Sequence, residues 1–100
     1  MMNAGAGQSE IEFRIRENGT SKPIPNATIL IEFNSGKSLK LHAGKSGISK
    51  CSIPAGQDYQ CLVYSQGFEL QVEDLEIEKE LSGKKEVIFI HLEREKNHPE

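Results

Sequence analysis

The sequence predicts an all-β sandwich of seven short, mainly antiparallel strands. Three observations carry that expectation. Apolar and polar residues alternate at period two over most of the chain, a helical period of 3.6 is hard to find, and Gly-, Pro- and Asn-rich turns recur about every ten residues. Strands so patterned have one apolar face each, and those faces must be buried against one another in a sandwich or barrel.

The elements follow in order. Ile11, Phe13 and Ile15 alternate with Glu12, Arg14 and Arg16, giving a half-buried first strand. The stretch from Asn18 to Asn26 holds Gly19, Pro23 and Pro25, which favour turns or remove ladder donors, so it reads as a loop. Ala27, Ile29, Ile31 and Phe33 then alternate with Thr28, Leu30 and Glu32. Asn34-Ser35-Gly36-Lys37 supplies hairpin chemistry, and Leu39, Leu41 and Ala43 form a third strand with Ser38, Lys40 and His42 outside. After Gly44–Gly47, Cys51 and Ile53 share the inner face of a strand over about 48–53, and Pro54–Asp58 turns the chain. Tyr59, Cys61 and Val63 face inward on the next strand, with Leu62 and Tyr64 on its other side. Phe68, Leu70 and Val72 read as the start of a sixth strand whose register resumes at Leu75 and Ile77. Ser82–Lys85 turns into a last strand, with Ile88, Ile90 and Leu92 opposing Val87, Phe89 and His91. The expected core is Phe13, Ile15, Ala27, Ile29, Ile31, Leu41, Ile53, Tyr59, Val63, Phe68, Ile88 and Ile90.

One hundred residues suit one domain, flanked by a leader over 1–9 and a polar tail over 94–100, with the sandwich over 10–93. A chain this short buries roughly 60–65% of the surface it exposes when unfolded, enough for one modest core. Its net charge of −3, with no Lys/Arg run longer than two, gives neither a nucleic-acid footprint nor a polybasic membrane patch. No apolar stretch has the length of a signal peptide or a bilayer span.

The order of turn signals resembles a known family. Lys22-Pro23-Ile24-Pro25-Asn26-Ala27-Thr28-Ile29 resembles the G-x-P-x-x-x-A-x-V element of transthyretin-like sandwiches, which include carboxypeptidase regulatory-like domains and collagen-adhesin B-type repeats. Gly44-Lys45-Ser46-Gly47 resembles their T-D-x-x-G turn, although the aspartate is missing and Ser49 stands where an aromatic is usual. Ile53-Pro54-Ala55-Gly56-Gln57-Asp58-Tyr59 resembles their L-P-x-G-x-Y corner, and Ser65-Gln66-Gly67-Phe68 the x-x-G-Y/F that follows. The structural motif residues are thus Pro25, Ala27, Gly47, Pro54, Gly56, Tyr59, Gly67 and Phe68. The resemblance spans about 10–93 and implies a Greek-key, Ig-like sandwich. It implies a non-catalytic accessory module that contacts or spaces neighbours in a larger bacterial surface or secreted protein, outside the cytoplasm.

The remaining polar groups spell no credible catalytic constellation. No G-x-S-x-G elbow surrounds a serine, and the enzymatic hydroxyisourate-hydrolase branch of the resembling family closes on Y-R-G-S, whereas this chain ends Asn97-His98-Pro99-Glu100. A small enzyme or metal protein would need His42 and His91 to converge. Cys51 and Cys61 lack zinc spacing, and Glu73, Asp74, Glu76 and Glu78 read as strand faces rather than a calcium loop, so no cofactor or metal is expected. By alternation both cysteines point inward. In the resembling fold their strands fall on opposite sheets, which leaves a disulfide or a pair of buried free thiols. Outward Leu30, Leu62, Tyr64 and Phe89 offer a surface for a protein partner. A carbohydrate-binding module is the alternative, resting on Tyr64 and Phe89 as exposed rings. The collagen-adhesin branch adds a Lys–Asn isopeptide bond, which is not expected because most outward lysines sit off the core faces.

Overall fold

A computed structural model describes residues 7–96. The strands are β1 (Gln8–Glu17), β2 (Thr28–Glu32), β3 (Ser38–His42), β4 (Ile48–Pro54), β5 (Gln57–Tyr64), β6 (Gln71–Ile77) and β7 (Lys85–Leu92), with one 3-10 turn over Lys79–Leu81. They form two sheets, one ordered β4-β1-β7 and the other β3-β2-β5-β6. Every pairing is antiparallel except β1 with β7, which run parallel from Glu10–Lys85 to Glu17–Leu92. The expected sandwich of seven mainly antiparallel strands is therefore the observed architecture.

The sheets close on a core whose members the period-two pattern placed correctly. Phe13, Ile15, Ala27, Ile29, Ile31, Ile53, Tyr59, Val63 and Ile90 are buried. Leu41, Phe68 and Ile88 are half-buried and pack against that core instead of lying inside it. Ile11, Ile24, Ala43, Cys61, Leu75, Ile77 and Leu92 complete the interior. Ile24 enters because Ile15 divides its bonds, its N–H donating to the Gly47 carbonyl at 2.8 Å while its carbonyl turns to the following loop. The Ile15 carbonyl accepts the Ile24 N–H at 3.0 Å and Arg16 bridges Pro23 antiparallel, so the loop after β1 folds back alongside that strand.

The sixth strand departs from the expected register. Phe68 makes only an isolated bridge to Arg94, and β6 begins at Gln71 with Gln71, Glu73, Leu75 and Ile77 on the inner side. Leu70 and Val72 are exposed. At a sheet edge the inner positions reach the rim of the sandwich, where Gln71 Nε2 donates to Glu73 Oε2 at 2.7 Å and polar residues are tolerated. A period-two reading counted from Phe68 therefore lands on the wrong face.

The boundaries also shift slightly. β1 starts at Gln8, and the Gly7 carbonyl accepts the Ala55 N–H at 3.0 Å. At the other end, the Gly67 carbonyl accepts the Glu95 N–H at 3.0 Å, and Arg94 Nε donates to Glu17 Oε2 at 2.8 Å. Residues 8–9 and 94–95 thus take part in the sandwich. Most of the expected leader, and Asn97-His98-Pro99-Glu100 of the tail, lie outside the described residues.

Candidate functional site: the two outer sheet faces

Strand alternation leaves one outward face on each sheet, and the candidate residues divide between them. On the four-stranded sheet, ladder register aligns Lys40, Leu30, Leu62 and Val72 in one row. The next row aligns His42, Thr28 and Tyr64. Val72 is 49% exposed and Tyr64 39%, with Leu30 and Leu62 half-buried between them. Leu30, Leu62 and Tyr64 therefore do share one surface, and Val72 extends it. Alternation counted from Phe68 puts Val72 on the inner face, whereas its cross-strand pairing with Leu62 sets it in the outer row.

Phe89 lies elsewhere. It sits on β7, on the outer face of the three-stranded sheet. The Arg16 and Arg14 guanidinium carbons stand 5.1 Å and 5.8 Å from its ring centroid. Those cations shade the ring, which is nevertheless 49% exposed. The grouping of Phe89 with Leu30, Leu62 and Tyr64 is corrected by the sheet order. The same order separates Tyr64 from Phe89, so the two rings make no common platform for a sugar.

Beside Phe89, Glu12 is buried although it points to the outer face. Its carboxylate accepts from Arg14 Nε at 2.7 Å and Lys85 Nζ at 2.8 Å. The Lys85 and Arg14 hydrogen bonds hold the Glu12 carboxyl down at about 2, against the smaller opposing effect of burial. Sequence alternation named Glu12 as simply outward. The missed signal was its flanking by Arg14 on one strand and Lys85 one strand away.

His42 and His91 do not converge. His42 is on β3 and His91 on β7, on exposed faces of different sheets, and His42 Nδ1 lies 3.4 Å from Thr28 Oγ1. Among the described residues no group of three or more His, Cys, Asp or Glu side chains is arranged to hold a metal ion. Glu73 faces the rim while Asp74 and Glu76 face outward, so these acids do not encircle a point.

Cys51 and Cys61 face inward from β4 and β5, on opposite sheets, and both are free thiols. Burial pushes the Cys61 thiol up to about 12, with Cys51 and Glu73 adding to the shift, and burial raises Cys51 as well. A protonated thiol is a poor nucleophile and metal ligand. The cleft on the outer side of β4, about 280 Å3, is lined by Glu10, Glu12, Lys50, Ser52 and Lys85 and holds no imidazole. Buried polar residues among those described are Ser9, Glu12 and Ser49, with no lysine or asparagine.

The turn motifs hold the faces in place. The Tyr59 hydroxyl donates to the Pro54 carbonyl at 2.6 Å, and the Gly56 N–H donates to Ile77 at 2.6 Å, fixing the β4–β5 corner against β6. Phe33 meets the Tyr59 ring edge-on at 5.1 Å. Gly47, Gly56 and Gly67 all have positive φ. Pro25 precedes the left-handed Asn26, and Ala27 is fully buried where β2 begins.

No family model matches the chain, and no curated protein matches it. Solved structures do share its fold. The Bacillus anthracis TIE protein aligns with a TM-score of 0.69 and 19% identity over 88% of this chain and 18% of that one. BcpA, the major pilin subunit of Bacillus cereus, aligns with a TM-score of 0.70 and 18% identity over 89% of this chain and 31% of that one. Chlorocatechol 1,2-dioxygenase from Pseudomonas putida aligns with a TM-score of 0.72 and 12% identity over 89% of this chain and 61% of that one. The chain thus spans from about a fifth to about three fifths of the length of these proteins. These neighbours share the β-sandwich fold with the chain. Among the described residues no helix is long and apolar enough to cross a membrane.

Proposed function

We propose that this chain is a non-catalytic sandwich module, of the transthyretin-like, carboxypeptidase-regulatory-like type, that contacts or spaces neighbouring proteins in a larger bacterial surface or secreted protein. The observation that carries the reading is the outward row Leu30, Leu62 and Val72 with Tyr64 beside it. An exposed apolar row on a rigid sheet loses water when a protein surface covers it, and polar residues rim this one. The occurrence of the same fold in the Bacillus cereus major pilin supports a surface setting. The dioxygenase shares only the fold at 12% identity. Fold alone does not carry chemistry.

The test is site-specific photo-crosslinking in cells expressing the gene, from positions 62 and 72, with position 52 on the opposite sheet as control. Protein adducts from 62 and 72 that are absent at 52 are the expected result. Adducts removed by glycosidase would favour the carbohydrate reading, and adducts from 52 alone would overturn the assignment of the face.

A further inference from the structure

The two edges of the four-stranded sheet carry opposite charge, and we infer that β3 of one copy pairs with β6 of a second copy, head to tail. The β3 edge, residues 37–45, contains Lys37, Lys40 and Lys45 with His42 and no carboxylate. The β6 edge and its flanks, residues 69–80, contain Glu69, Glu73, Asp74, Glu76, Glu78 and Glu80 against Lys79 alone. Both strands are sheet edges among the described residues. An edge strand leaves every second residue with an unpaired N–H and C=O.

Which residues those are follows from the neighbouring bonds. The Phe33 N–H donates to the Lys37 carbonyl at 2.9 Å and the Ala43 N–H to the Ala27 carbonyl at 2.8 Å, so odd-numbered positions of β3 turn toward β2. Alternation then aims the backbone groups of Ser38, Lys40 and His42 at the open side. On β6 the Ile77 carbonyl accepts the Gly56 N–H at 2.6 Å, so odd-numbered positions turn toward β5 and Val72, Asp74 and Glu76 face out. All six of these residues are exposed, with side chains on the same outer sheet face.

The strand directions agree as well. Neighbours within this sheet are antiparallel throughout, so a copy displaced along the sheet presents its β6 antiparallel to β3. A register with Lys40 opposite Asp74 also sets Ser38 opposite Glu76 and His42 opposite Val72. Each pair unites two residues with free backbone groups, and the central pair joins opposite charges, which stabilise cross-strand neighbours. Symmetric pairing of β3 with β3 or β6 with β6 would oppose like charges. The favoured contact is therefore heterologous and open-ended, propagating one sheet through successive copies. It stands beside the module reading and does not depend on it, since it requires no parent protein and engages the backbone edges of the sheet, not the apolar row on its face.

The test is sedimentation of the full chain at millimolar concentration, in low and in high salt. Concentration-dependent growth beyond a dimer, weakened by salt, is expected. Lys40→Glu and Asp74→Lys alone should each lower the association constant about tenfold or more. Mixing the two variants should restore association, because each altered edge then meets its complement. Circular dichroism of each variant confirms the fold, and restoration on mixing excludes misfolding as the cause. A monomer at every concentration, a dimer that grows no further, variants that associate like the parent, or a mixture that stays apart would each overturn the inference.

Discussion

Replacing Gly47 with alanine tests whether close backbone approach, and not turn conformation alone, fixes that position. Gly47 has φ of +76°, and Gly67, at +88°, serves as a matched control. A methyl group at Gly67 meets nothing within 4 Å. At Gly47 it falls 2.7 Å from the Ile15 carbonyl oxygen, 3.1 Å from the Ile24 nitrogen and 3.2 Å from the Ile24 oxygen. None of these atoms is free to retreat. The Ile15 N–H donates to the Gly47 carbonyl at 2.8 Å, and the Ile15 carbonyl is bonded to Ile24. Both substitutions incur the left-handed cost of about 1–2 kcal/mol. Gly47→Ala adds an overpacking cost of about 1–3 kcal/mol. The expected loss is therefore about 2–5 kcal/mol at Gly47 and about 1–2 kcal/mol at Gly67, against a total stability on the order of 5–15 kcal/mol. Urea unfolding reads the difference as a lower midpoint with unchanged slope. Losses agreeing within about 0.5 kcal/mol would refute the reasoning, because the steric part would then be absent.

Three further outcomes are expected. Tyr59→Phe leaves the Pro54 carbonyl without its 2.6 Å donor and should cost about 1–2 kcal/mol by the same urea assay. Glu12 has its folded-state pKa lowered from 4.5 to about 2, so its stabilising contribution is present above about pH 4.5 and lost as pH falls toward 2. Thermal melts across that window should show a flatter acid decline for Glu12→Gln, and identical declines would remove Glu12 from the acid response. Thiol titration at mildly alkaline pH should find two reactive thiols after denaturation, while native Cys61 reacts far more slowly because burial keeps it protonated. Finding only one thiol or none under denaturing, non-reducing conditions would contradict the free pair.

How much was legible depended on how many strands flank each residue. On central strands, alternation predicts the face correctly. Ile29 and Ile31 of β2, and Tyr59 and Val63 of β5, are all buried because a neighbour on each side fixes the pleat. On the edge strand β6 the pattern is diluted by polar rim positions, and the reading slipped by one residue at Val72. The sheet assignment of Phe89 was illegible for a different reason. Alternation reports inward or outward but not which of two outward faces a strand shares, and only pairing of β7 with β1 supplies that. Glu12 illustrates a third limit, since its two cations are Arg14 on its own strand and Lys85 on β7, and the second is brought to it only by strand pairing.

The parallel pairing of β1 with β7 also decides how the module would respond to tension. Force entering through the chain before Gln8 and leaving through the chain after Leu92 draws these neighbouring strands in opposite directions along their length. The eight register pairs between Glu10–Lys85 and Glu17–Leu92 are then loaded side by side, in shear. Had the two strands been antiparallel, the same pull would have opened their ladder one bond at a time from a single end. The direction in which β7 runs thus makes this sandwich resist a pull applied along its two ends.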